Sequence, residues 1–174
     1  AEEYYANGSL KMELENYEES IEDFTKSIAL NPHNPEAYYL RAYSKNKLGD
    51  NIGVIEDHSK VIELDPENPA SYYYRGFAKY NLGYYKEAIA DYTVVIELDS
   101  IDVDAYLERG ESKAQLEDYI GAIDDYNKVI DLNPEHIDAF FDRALLKSEL
   151  NDFSNAIKDF TKVIELTSGY AEAY

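Results

Sequence analysis

The sequence predicts an all-α protein, a solenoid of antiparallel helix hairpins, and three observations carry that prediction. Written in rows of 34, the 174 residues superimpose on themselves five times and end with the first four residues of a sixth row. Tyr4, Tyr38, Tyr72, Tyr106, Phe140 and Tyr174 share one column; Lys11, Lys45, Lys79, Lys113 and Lys147 fill another; Asp23, Asp57, Asp91, Asp125 and Asp159 fill a third. Within each row the apolar residues follow the spacing of two successive amphipathic helices. Repeats of this length are small units that bury their apolar faces only against their neighbours. The expected organisation is one array over residues 1–174, with rows 1–34, 35–68, 69–102, 103–136 and 137–170 and a partial row at 171–174.

With columns numbered by the first row, columns 4, 7, 8 and 11 obey the i, i+3, i+4, i+7 rule and define a first helix with one inward stripe. Turn residues follow it: Glu15-Asn16, Gly49-Asp50, Glu117-Asp118 and Asn151-Asp152. Columns 20, 21, 24, 27 and 28 then define a second helix. Leu-Asn-Pro or Leu-Asp-Pro at 30–32, 64–66 and 132–134 ends it, because proline lacks the backbone donor and clashes with the preceding turn. Asn34-Pro35 and Asn68-Pro69 read as an N-cap followed by proline at the first helical position of the next row.

These residues resemble the tetratricopeptide repeat family, whose pattern is W-x2-L-G-x2-Y, A-x3-F and P on a period of 34. The third row matches it with Tyr72, Gly76, Ala88 and Tyr92, and the fourth with Tyr106, Gly110, Ala122, Tyr126 and Pro134. The resemblance covers the whole chain. It implies hairpins stacked into a right-handed superhelix whose concave wall binds an extended peptide or a partner helix.

The chain departs from that pattern in two inward columns. Arg41, Arg75, Arg109 and Arg143 replace the family's leucine, and the five lysines replace its second aromatic. An unpaired charge there would be costly, and the column of aspartates supplies the counter-ions. A structural ion-pair ladder is therefore expected, with a charged binding row as the alternative. The first row has Asn7 where the others have Arg, which suggests forward pairing between rows: Asp23 to Arg41, Asp57 to Arg75, Asp91 to Arg109 and Asp125 to Arg143. The second row is expected to be the weak unit. It carries Asn51, Val54 and His58 where its neighbours have an aromatic, a small residue and another aromatic, and Gly53 inside a helix costs up to about 1 kcal/mol. His58 is read as filling a core aromatic slot. His33 and His136 are loop residues, and with no cysteine the three scattered histidines form no legible metal site.

Sixteen Lys and Arg against 36 Asp and Glu give a formal charge of −20, a field that repels phosphate backbones and anionic lipid. Nucleic acid and membrane are poor partners; a basic or mixed apolar-basic protein or peptide is the expected one. Setting aside the nine inward cations and five ladder aspartates leaves seven cations against 31 acids, so the remaining surface is more acidic than the total. No cofactor is expected. The absence of cysteine excludes disulfides and is compatible with any compartment, and no apolar run reaches the roughly 18 residues of a membrane span. The chain starts at Ala1 without an initiator Met and keeps the register at both ends, pointing to a segment of a longer array or a processed protein.

The resemblance places the concave wall on columns 2, 5, 9 and 12. The first three rows put Tyr5, Met12, Tyr39, Tyr43, Tyr73, Phe77 and Tyr80 there, with Tyr74 beside them. The last two put Leu107, Glu111, Phe141 and Leu145 with Asp104 and Asp138, and Glu108 and Asp142 in the next column. The expected groove is aromatic first and acidic later, suited to interface anchoring; the alternative is that several tyrosines only pack on adjacent helices. The family's cationic carboxylate clamp is absent, since its columns hold Tyr5, Ser9, Leu40, Ala70 and Tyr74. Asn7-Gly8-Ser9 matches a glycosylation sequon but sits within a helix. No phosphate loop or nucleophile elbow appears. The function predicted is a non-enzymatic scaffold binding a peptide or helix with apolar and basic residues; end-to-end self-assembly and an accessory domain of a larger enzyme are the alternatives.

Overall fold

A computed structural model describes residues 1–171, with side chains through residue 168. The described residues form ten α-helices: α1 (Glu2–Glu13), α2 (Tyr17–Leu30), α3 (Pro35–Lys47), α4 (Asn51–Leu64), α5 (Pro69–Asn81), α6 (Tyr85–Leu98), α7 (Val103–Gln115), α8 (Tyr119–Leu132), α9 (Ile137–Glu149) and α10 (Phe153–Ala171). Each row is one antiparallel hairpin, and the chain divides into two compact units, Ala1–Leu98 with α1–α6 and Asp99–Tyr174 with α7–α10. The division follows Leu98, at an inter-row turn with Ser100 where the first, second and fourth rows have proline.

The caps lie where turn chemistry places them. Asn34 and Asn68 accept from Glu36 N and Ser71 N with proline next in the chain, while Asp102 and His136 cap α7 and α9. Column 15 adopts the left-handed conformation in every row: Glu15, Gly49, Gly83, Glu117 and Asn151 have φ between 60° and 78°. The following N–H reaches back to the column 11 carbonyl at 2.8–3.0 Å, closing each first helix. Glutamate gains nothing sterically from that conformation, whereas glycine does. Glu117→Gly is expected to raise stability by about 0.5–1 kcal/mol, read by urea unfolding. The fifth row lacks proline at column 32, having Ser168 there, and α10 runs on to Ala171. Tyr174, the last member of the aromatic column, lies outside the described residues.

Small residues face large ones inside each hairpin. A Cβ added to Gly8 would lie 3.0 Å from the Phe24 ring, and one on Gly110 2.8 Å from Tyr126. Ala88, Ala122 and Ala156, which share one column of the second helices, complete the core together with Val61, Val95 and Val129. Gly53 sits in the first turn of α4, where its N–H is held by Asp50 and a Cβ would meet the Asp50 carboxylate and, at 2.7 Å, Lys45 Cδ. Both neighbours are flexible side chains, and Glu19, Glu87 and Asn155 occupy the same column in other rows, so packing does not require glycine there.

The ion pairs run within rows, which corrects the forward pairing. Arg41 forks onto Asp57, Arg75 onto Asp91, Arg109 onto Asp125 and Arg143 onto Asp159, each through Nε and Nη2 at 2.6–3.0 Å. Lys45, Lys79, Lys113 and Lys147 join the same carboxylates at 2.6–2.9 Å. The antiparallel hairpin puts columns 7 and 11 opposite column 23 of the same row, so the forward pairs do not form. The link between rows is a third guanidinium donor: Arg41 Nη1 reaches Thr25 at 3.0 Å, Arg75 reaches Ser59 at 3.1 Å and Arg143 reaches Asn127 at 2.6 Å. Each arginine also lies 5.3–5.6 Å over the ring one turn earlier, Tyr38, Tyr72, Tyr106 or Phe140. Asp23, in the row that has Asn7, takes Lys11 at 2.7 Å and Lys26 at 3.4 Å instead.

Candidate functional site

Column 5 residues have two faces. One is used internally: the rings of Tyr5, Tyr39, Tyr73 and Phe141 set edges against Phe24, His58, Tyr92 and Phe160 of their own rows, at 5.3–5.9 Å. Tyr80 packs likewise on Tyr85 at 5.3 Å. To that extent the tyrosines do pack on adjacent helices.

The first unit nevertheless holds a cavity of about 450 Å³ lined by Met12, Glu13, Glu15, Tyr17, Tyr39, Leu40, Tyr43 and Tyr74. Four of the expected groove residues, Met12, Tyr39, Tyr43 and Tyr74, meet there; Tyr5, Tyr73, Phe77 and Tyr80 are not among its lining. Tyr43 and Tyr74 are 43% and 39% exposed and so keep surface that a partner can cover, while the Tyr74 ring also packs on Tyr39, Tyr73 and His58. A smaller recess of about 20 Å³ shares Tyr39, Tyr43 and Tyr74 and reaches Ala42, Asn46 and His58.

His58 fills the column 24 slot, 3% exposed, as its position implied. It also stacks on Tyr74 at 5.7 Å, and its Nδ1 has no hydrogen-bond partner. Burial lowers its pKa to about 4 against the pull of Asp57, with Arg75 adding to the lowering, so the ring is neutral at pH 7. Burial first, then Tyr74 and Glu36, push the Tyr39 phenol up to about 12. Sequence reasoning missed the part of Glu13, Glu15, Tyr17, Asn46 and His58 in this wall. The available signal was a polar ring at an otherwise apolar column beside three tyrosines.

In the second unit, Leu107, Glu108, Glu111 and Asp142 are half-buried and Phe141 is 44% exposed. Glu111 is pushed up to about 7, first by burial and then by Glu108, Asp142 and Asp138. Asp142 is raised by burial and by Asp138, with His136 opposing. The charges that shift Glu111 are all acidic, the reverse of the ladder, where each aspartate meets two cations.

A family model for the TPR repeat matches residues 3–49, and one for the tetratricopeptide repeat matches 69–102, 103–136 and 137–170. The matched spans pass over 50–68, the stretch that holds α4 and His58. No curated protein matches the sequence. Among solved structures, a crystal structure of MamA is similar with TM-score 0.92 and 24% identity, covering 95% of this chain and 96% of that one. MamA residues 41 to the end from Desulfovibrio magneticus RS-1 gives TM-score 0.90 and 23% identity over 97% and 95%. YrrB, described as a TPR protein with an unusual peptide-binding site, gives 0.84 and 20% over 94% and 84%. At these identities the likeness is one of fold.

Proposed function

The chain belongs to the tetratricopeptide repeat family, and from that premise we propose that it is a non-catalytic interaction scaffold whose partner is a peptide or helix carrying apolar and basic residues. The observation that carries this reading is the 450 Å³ cavity, walled by tyrosines with Glu13 and Glu15 among its lining. Tyrosine buries large area at small entropic expense, and a carboxylate pair favours a cation beside it. The half-buried Glu108, Glu111 and Asp142 offer a second acidic place for basic residues. The peptide-binding site named for YrrB supports the class of ligand, not its sequence.

Selection from a random peptide library is expected to enrich sequences with aliphatic or aromatic residues next to Arg or Lys. Their affinity should fall at least about tenfold on replacing Tyr43 and Tyr74 with Ala, and should weaken as salt is raised from about 50 to 500 mM because attraction to the acidic surface is screened. Enrichment of uncharged peptides with salt-independent binding refutes the basic part of this reading.

Self-assembly through the ends has one supporting observation: α10 exposes Phe153, Ile157 and Ile164 at 58%, 64% and 66%. However, α1 carries Glu3 and Leu10 where the second and third rows place Ala37 and Ser71, and Ser44 and Ala78, all buried in the first unit. Another copy's α1 therefore does not repeat the internal junction. Light scattering over a concentration series is expected to return a constant mass.

A further inference from the structure

The cavity and its recess differ in what they admit. The larger space takes an extended side chain, whereas a recess of about 20 Å³ has room for one small polar group. An aromatic side chain entering the cavity leaves that recess unfilled; a slender side chain with a polar tip reaches it. The recess ends on the His58 ring, and the imidazole has an unused hydrogen-bonding atom, Nδ1, in a chain where most buried polar groups find partners. A neutral imidazole has one donor and one acceptor nitrogen; with the proton on Nε2, Nδ1 is the acceptor and the incoming group is a donor.

Charge narrows the choice. The formal charge is −20, Glu13 and Glu15 stand in the cavity lining, and Lys47 Nζ already sits 5.1 Å from the Tyr43 ring centroid. A tyrosine of this wall thus accommodates a cation on its face. Between the two cationic side chains, guanidinium is planar, weakly hydrated and suited to stacking on aromatic rings, whereas ammonium gives up a tighter hydration shell on entering an apolar wall.

We propose that the tyrosine wall around His58 is the socket for an arginine side chain of the partner: the guanidinium lies against Tyr39, Tyr43 and Tyr74 and donates one N–H to the His58 imidazole, with Glu13 and Glu15 balancing its charge. This rests on the reading of the first-unit cavity as a peptide site and adds the residue type it selects. The second row then departs from the repeat pattern because its core aromatic slot also holds an acceptor.

The test uses the full chain and three probes, acetyl-Leu-Arg-Leu-amide and its lysine and citrulline counterparts, by calorimetry and by NMR of the His58 imidazole. The arginine peptide is expected to bind at least about tenfold more tightly than either counterpart and to shift the His58 ring signals saturably. His58→Phe is expected to abolish the preference for arginine with the thermal midpoint kept or raised, since Phe24 and Phe160 fill this column in two other rows. Equal binding of the three peptides, a preference unchanged in His58→Phe, unperturbed His58 signals reflecting enclosed water only, or no binding at all would each overturn the socket. If the peptides bind without discrimination and lose affinity in the Tyr43 and Tyr74 to Ala variant, the scaffold reading stands while the arginine socket falls.

Discussion

Asp91→Ala is expected to destabilise the third hairpin by about 3–5 kcal/mol, the penalty of removing one partner from a buried charge cluster. Asp91 is 4% exposed and accepts the Arg75 fork at 2.7 and 2.9 Å and Lys79 at 2.6 Å. Without it, two cations one turn apart on α5, 18% and 17% exposed, lose the carboxylate they share. Contacts in a repeat array are mainly between nearest neighbours, so the loss is read as faster hydrogen exchange in α5 and α6 as well as a lower urea midpoint. Asp23→Ala should do much less, because Lys11 and Lys26 are 32% and 51% exposed and no arginine is stranded. Replacing the whole cluster, Arg75→Leu, Lys79→Met and Asp91→Leu together, should recover most of the stability. A single Asp91→Ala variant as stable as the parent would show that the ladder neutralises charge without holding the hairpin together.

Much of this molecule was legible because a helix period and a repeat period reinforce each other. Columns 4, 7, 8 and 11 placed the first helices, and Asn-Pro at 34–35 and 68–69 placed two starts to the residue. That the aspartates neutralise the inward cations was also legible, since theirs is the column beside the stripe that is acidic in all five rows. Which row each aspartate serves was not, because spacing of 16 or 18 residues looks equivalent on paper; only the antiparallel crossing makes Arg41 face Asp57. The left-handed turn at column 15 was hidden because Glu15, Glu117 and Asn151 share it with two glycines. The site was half legible. Tyr39, Tyr43 and Tyr74 stood out as aromatic, but column 5 rings spend one edge on their own hairpin, and sequence does not say which face remains. His58 was read as core, which it is; that it also ends a recess depends on how far Tyr43 and Tyr74 stand off, a matter of side-chain packing.

Glu111 sets the second large effect, and its sign opposes that of the ladder. Asp23 is lowered, chiefly by Lys11, and Asp159 is lowered because Arg143 and Lys147 outweigh its burial. Their contribution is present above the ordinary aspartate pKa and is lost as pH falls through the lowered value. Glu111 is raised to about 7, so in the window from the ordinary carboxyl value up to about 7 the native chain holds a proton that the unfolded chain has released. Stability therefore falls as pH rises through that window and is lowest above it. Glu111→Gln removes the buried charge and is expected to stabilise by about 2 kcal/mol at about pH 8 and negligibly at about pH 4.5, read from urea midpoints. A basic partner residue seated against Glu108, Glu111 and Asp142 would favour the ionised form, so binding at about pH 6.5 should release up to about one proton, measurable as a dependence of calorimetric heat on buffer ionisation enthalpy. Glu111→Gln should remove that dependence. Proton release that persists in the variant would assign it elsewhere, and binding with no proton release would mean that the basic residues of the partner do not use this cluster.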